Sequence, residues 1–151
     1  MFGEKEKRHV YIGSDHAGFQ TKEVLKDFLG AEFHVTDLGA FSEEPVDYPD
    51  IAREVSEKVL ENGGAIGIVI CGTGTGMAMT ANKLRGIRAA VATNELVAEM
   101  ARKHNNANVL ALGARVNNID EIKKITDKFV HTEFEAGEDR HIRRVNKIDG
   151  K

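Results

Sequence analysis

A chain of 151 residues with 41% hydrophobic and 30% charged residues has the length and composition of one soluble globular domain with a proper core. A formal net charge of -3 speaks against general nucleic-acid binding, and no apolar run approaches a membrane span or a signal peptide. The single cysteine, Cys71, excludes an internal disulfide and fits a reducing, cytoplasmic compartment.

Residues 1–8 are charged and read as a loose lead-in, with a single domain over residues 9–151. Residues 10–13 predict a short strand, and residues 18–29 have helical spacing, with Phe19, Val24, Leu25, Phe28 and Leu29 apolar. A second strand is predicted over 33–38. A helix then runs from Tyr48 to about 61, with Pro49 suited to its first turn and Asn62-Gly63-Gly64 ending it. The third strand, 66–70, leads through Cys71 and a glycine-rich turn to a helix-like segment at 77–84. A fourth strand at 87–92, a helix at 95–103, a fifth strand at 108–112 and a long helix from 120 to about 134 follow. An acidic break, 135–139, precedes a basic arm over 140–147. Five βα units in series predict a three-layer α/β/α, Rossmann-like fold with a five-stranded parallel sheet and a C-terminal helical arm from about 135. The near-continuous apolar strands agree with a sheet covered on both faces.

In such sheets ligands bind beyond the C-terminal ends of the strands. After the first strand stand Asp15 and His16, where Asp15 also suits a helix cap. After the third comes Cys71-Gly72-Thr73-Gly74-Thr75-Gly76. A glycine-rich turn opening a helix aims backbone N–H groups and the helix dipole at one point, a field that also favours a thiolate. The competing reading is a close-packed turn with Cys71 as a small buried hydrophobe. Thr93-Asn94 reads as a helix cap. His104 and Asn105 precede the fifth strand, so position alone makes them a C-terminal cap facing away from these strand ends. Arg115 follows the fifth strand, and the arm adds Arg140, His141, Arg143 and Arg144.

The glycine spacing is not that of a dinucleotide fingerprint, no P-loop lysine follows it, and there is no Gly-x-Ser-x-Gly elbow. The histidines and acids lack zinc-ligand spacing. No metal and no cofactor are therefore expected. A thiol beside an oxyanion site, with Asp, His and arginines at hand, suits proton shuttling on a phosphorylated carbonyl compound. The bland alternative is a sugar-phosphate-binding module without chemistry.

Five segments together resemble the type B ribose-5-phosphate isomerase family, which also includes allose-6-phosphate and galactose-6-phosphate isomerases. They are Ile12-Gly-Ser-Asp-His-Ala-Gly18, Asp47-Tyr-Pro-Asp50, Cys71-Gly-Thr-Gly-Thr-Gly-Met77, Lys103-His-Asn-Asn-Ala-Asn-Val-Leu-Ala-Leu-Gly113 and Arg140-His-Ile-Arg-Arg-Val-Asn-Lys-Ile148. The resemblance implies that Cys71 is the base moving a proton between C1 and C2. It makes Gly72, Gly74, Thr75 and Gly76 the anion hole of the enediolate, with Thr73 helping. Asp15 and His104 would open the furanose ring, Asn105 would hold sugar hydroxyls and Tyr48 would line the pocket. His16, Arg115, Arg140 and Arg144 would bind the phosphate, the two arm arginines reaching into a partner's site in a homodimer or tetramer. A second branch of the family carries a glutamate base at the position of Met77 and lacks the cysteine, so this chain resembles the cysteine-base branch. The implied substrate is ribose 5-phosphate, with a hexose 6-phosphate as the alternative. The lead-in and the acidic stretch 135–139 depart from the family pattern.

Overall fold

The computed structural model describes residues 7–151, so residues 1–6 of the expected lead-in lie outside the described residues. Arg8 already belongs to the fold: its Nε donates to the Gly64 carbonyl at 2.6 Å, and its own carbonyl accepts the His34 N–H at 3.0 Å. Five strands follow in the expected order: β1 (His9–Ser14), β2 (His34–Asp37), β3 (Ile66–Cys71), β4 (Ala89–Val91) and β5 (Val109–Gly113). They form one all-parallel sheet in the order β2-β1-β3-β5-β4. Six helices connect and flank them: α1 (Phe19–Leu29), α2 (Tyr48–Glu61), α3 (Thr75–Ala81), α4 (Glu95–Lys103), α5 (Ile119–His131) and α6 (Asp139–Ile148), the last being the predicted arm.

The central strand β3 is buried at all six positions, as its apolar run requires. Strand alternation divides it between two cores. Ile66, Ile68 and Ile70 pack with Leu25 of α1, Ala98 of α4 and Ile122 and Phe129 of α5. Val69 and Cys71 point to the other face, among Val55 of α2 and Met77 and Ala81 of α3. No helix among the described residues is long and apolar enough to cross a membrane.

Most predicted ends shift by a residue or so, and helix α3 ends at Ala81 rather than 84; three larger changes have a local reason. The fourth strand shrinks from 87–92 to 89–91. The Asn82 side chain brackets its entry, accepting from the Ala89 N–H at 2.7 Å and donating to the Ala89 carbonyl at 3.0 Å, while Ile87 closes a turn on Leu84. Helix α3 starts two residues early, at Thr75, because Gly74 caps it in the left-handed region at φ +82°. Helix α5 stops at His131 rather than near 134. Thr132 turns extended there, and its carbonyl accepts from the buried Arg102 at 3.0 Å. At its start, Asn118 and Glu121 form a reciprocal capping box.

The chain leaves β1 for β2 on one side and crosses to β3 on the other, which opens a crevice between the ends of β1 and β3. Its rim is fixed by a buried charge cluster. The Lys22 side chain is fully buried, lies 5.3 Å from the ring centres of both Phe19 and Phe41, and donates to both Asp37 oxygens at 2.7 Å. Lys26 adds a bond to Asp37 at 2.8 Å. Asp37 Oδ1 also accepts the Gly39 N–H at 2.9 Å, and Gly39 and Ala40 exchange hydrogen bonds with Ser14 at 2.6 Å. The ion pair therefore ties the loop after β2 to the residue before Asp15.

Burial alone would raise the Asp37 pKa; the bonds from Lys22, Lys26 and Gly39 outweigh it and hold the carboxyl below its ordinary 3.8. A depressed folded value adds stability that is complete above the unfolded value and disappears as pH falls through the folded one. Asp37→Asn leaves the buried Lys22 with only the half-exposed Glu23 carboxylate at 3.4 Å and is expected to cost about 3 kcal/mol at pH 7. Urea unfolding of both proteins checks this, and the gap should narrow below about pH 4.

Candidate active site

Strand pairing sets Ser14 beside Ile70 and Cys71 beside Gly113, which brings the ends of β1, β3 and β5 to one edge of the sheet. Cys71 is a buried free thiol, and its Sγ accepts the Gly74 N–H at 3.1 Å. The turn carrying it is pressed against β5. A Cβ on Gly74 would lie 3.1 Å from the Leu112 carbonyl carbon, and one on Gly113 would lie 2.8 Å from the Thr73 carbonyl carbon. Beyond β1, the Asp15 N–H donates to the Ile70 carbonyl at 3.0 Å. The buried Asp15 carboxylate caps the 3₁₀ turn His16–Gly18, one oxygen accepting from Ala17 at 2.9 Å and Gly18 at 3.2 Å. The capping role read from the sequence is thus present.

Other expected residues gather around this thiol. Arg115 lies over Gly72, its guanidinium 3.2 Å from where a Cβ would stand. The Tyr48 ring covers Gly76, within 2.6 Å of the corresponding point. His16 is half-buried, and its Nδ1 faces the Val46 N–H at 3.5 Å. Thr73 is exposed, and its hydroxyl accepts the Thr75 N–H at 3.3 Å. Two N–H groups of the expected anion hole are therefore engaged locally, Gly74's by the sulfur and Thr75's by Thr73.

His104, Asn105, Arg140 and Arg144 stand elsewhere. His104 is the C-cap of α4, its N–H bonded to the Met100 carbonyl at 2.9 Å, and Asn105 is exposed beside it. Both precede β5, so they lie at the N-terminal edge of the sheet, as their position predicts. The paired run from Gly67 and Val109 to Cys71 and Gly113 separates the two edges by about 13 Å of strand, at about 3.3 Å per residue. Helix α6 joins this second group. The His104 and His141 rings stack with centroids 4.4 Å apart and planes 16° from parallel. Arg140 and Arg144 are exposed on α6. Arg88 anchors the far end of that helix through Asp149 at 2.9 Å.

Three residues of this region had no role in the sequence reading. Arg102 is 3% exposed; it donates to the Thr132 carbonyl and to the Ala107 carbonyl, and its guanidinium faces the Phe129 ring. The Ala98, Ala101, Arg102 spacing is the sequence signal for it, an arginine on an apolar helical stripe. Glu135 and His141 meet His104 across three separate segments, so no local spacing announces them. The expectation of no metal rested on spacing along the chain, and these three side chains come together only through the fold.

A crevice at a parallel-sheet switch point, holding a thiol, a glycine turn and basic side chains, defines an α/β enzyme acting on a small polar substrate. The chain belongs to the ribose/galactose isomerase family, which it matches over residues 10–148, and it is an isomerase. It is 40% identical to ribose-5-phosphate isomerase B of Escherichia coli over 144 residues, covering 93% of this chain and 94% of that one. The Clostridium thermocellum ribose-5-phosphate isomerase B structure superposes with a TM-score of 0.90 at 47% identity, covering 94% and 95% of the two chains. That of the Mycoplasma genitalium enzyme, solved with bound ribulose 5-phosphate, superposes at 0.91 with 42% identity and 97% of each chain covered.

Gly74 combines a positive φ with backbone packed close against the place a side chain would take. Its positive φ costs an L-residue about 1–2 kcal/mol, and the nearby Leu112 backbone cannot swing aside. Gly74→Ala is expected to lose at least that much stability and to depress turnover with it. Denaturant unfolding and a steady-state assay on the same preparation check both.

Proposed function

We propose that this chain interconverts ribose 5-phosphate and ribulose 5-phosphate at a site built from two copies of itself. One observation carries the shared site: the residues that the family resemblance groups together fall at opposite edges of one chain's sheet. A second copy that laid its His104 edge against the Cys71 edge of the first would reunite them. The ribulose 5-phosphate bound by the M. genitalium relative supports the choice of substrate.

The chemistry then follows from the groups at each edge. Asp15 and His104 open the furanose, one taking the O1 proton while the other protonates the ring oxygen. Cys71, as thiolate, removes the C2 proton of the open aldose and returns it to C1. The Gly74 N–H at 3.1 Å fixes where the sulfur points. Between the two transfers, charge rests on the enediolate oxygens, which backbone N–H groups of the 72–76 turn stabilise, and a proton passes from O2 to O1. Asn105 and Tyr48 hold sugar hydroxyls. His16 and Arg115 from one copy and Arg140 and Arg144 from the other grip the phosphate, for which arginine's fork of donors is suited.

Cys71→Ala is expected to lower kcat by at least about 10² with substrate binding largely kept. Near-normal turnover would remove Cys71 as the base. Mixing Cys71→Ala with Arg144→Ala subunits should restore activity above either parent, because hybrid dimers regain one intact site. If confirmed subunit exchange yields no gain, each chain uses its own arm.

The pocket must also discriminate against a sugar phosphate one carbon longer. One methylene is worth about 1–3 kcal/mol in a pocket, so kcat/KM for ribose 5-phosphate should exceed that for allose 6-phosphate by roughly 10- to 200-fold. A ratio favouring the hexose would replace the substrate and leave the base and the anion hole in place.

A further inference from the structure

We propose that His104, Glu135 and His141 form a site for a divalent transition-metal ion of the zinc type, and that an ion held there withdraws His104 from the isomerase reaction. The ligand atoms of the three side chains all lie within 4.8 Å of one another. His141 is 5% exposed, and its Nε2 has no hydrogen-bond partner among the described residues. A buried nitrogen left unpaired is costly, and the group that would relieve it is close by. Glu135 Oε2 stands 3.7 Å from that nitrogen. This is too long for a hydrogen bond. It is close to the separation of about 3.4 Å between two ligands that each sit about 2.1 Å from one tetrahedral ion.

The donor set selects the ion. Two imidazoles and a carboxylate suit zinc or cobalt and leave a fourth position for water, whereas magnesium and calcium prefer oxygen alone. The surrounding charge permits it. The Lys103 ammonium is held 2.6 Å from Glu99, and the Arg140 guanidinium lies 3.9 Å from Glu138. One adjustment is required. A ring nitrogen binds a metal in its own ring plane, and the two rings are stacked only 16° from parallel. His141 is locked by burial, so the half-buried His104 turns its ring to meet the ion. That movement breaks the stack and commits a ring nitrogen of the side chain the reaction needs. The inhibitory consequence rests on His104 acting in the shared site; the metal site itself does not.

Titration of metal-free protein with Co²⁺ tests the site without any assay of activity. Visible d–d absorption with a nitrogen and oxygen ligand set should saturate near one equivalent. Its midpoint should rise at least about tenfold in Glu135→Gln and in His141→Gln. Glu135→Gln alters a half-buried side chain and keeps the test valid if the buried histidine variant fails to fold. Unchanged titrations in Glu135→Gln, or a sulfur-to-cobalt charge-transfer band marking capture by Cys71, would overturn the proposal. Zn²⁺ should inhibit turnover of ribose 5-phosphate, and a chelator should restore it. Glu135→Gln should match the parent in chelator and require at least about tenfold more Zn²⁺ for the same inhibition. Cobalt binding as described with turnover indifferent to Zn²⁺ would overturn the inhibitory step. Failure of the mixed-subunit experiment would strike the shared site and leave the cobalt result standing.

Discussion

Backbone lies directly against backbone around the end of β3, and the position of the thiol depends on it. Three glycines permit this. A Cβ on Gly18 would sit 2.8 Å from the Ile70 carbonyl oxygen, one on Gly74 3.1 Å from Leu112, and one on Gly113 2.8 Å from Thr73. These contacts hold the turn after Cys71 from both sides, and the chemistry-bearing neighbours are hung from the same backbone. Asp15 is bonded to the Ile70 carbonyl, Ala114 to that of Cys71 and Arg115 to that of Gly72. Main-chain atoms cannot change rotamer, so these contacts add rigidity to what the side-chain cores on either face of β3 already supply.

The His104 edge is organised by an opposite device, a charge in the interior. Burial lowers the pKa of Arg102 to about 10, which still leaves the guanidinium protonated at neutral pH. It bridges carbonyls from the entry to β5 and the exit from α5, two places where helix or strand bonding has run out. Asn106, beside it, adopts a positive φ of 46°, a conformation asparagine tolerates. The turn bearing His104 and the link leading to α6 are thereby fastened to one side chain. A methionine of similar length would fill the space and leave both carbonyls unpaired.

The parallel sheet was legible because its strands are apolar runs and its helices have helical spacing and recognisable stops. The cluster around Cys71 was legible because parallel sheets bind ligands at one predictable edge. The same positional logic placed His104 and Asn105 away from that edge, and they are there; only the family resemblance joined them to the thiol. Where side chains bond across distant segments, the sequence is silent. The shortening of β4 by Asn82 and the early end of α5 at Arg102 are examples. Lys22 shows the same limit differently. Lysine on an amphipathic helix reads as surface, and only the arrival of Asp37 from β2 makes full burial tolerable.

The two outer strands of the sheet are its shortest, with four residues in β2 and three in β4. An unpaired strand edge is a template on which another chain can build, and its danger grows with length. Here the template ends almost as soon as it begins, and β2 carries His34 and Asp37 at its two ends. Edge-to-edge growth of a continuous intermolecular sheet therefore has little to start from. The exposed large apolar side chains Phe41, Met79 and Leu96 stand on helices and loops, away from both strand edges.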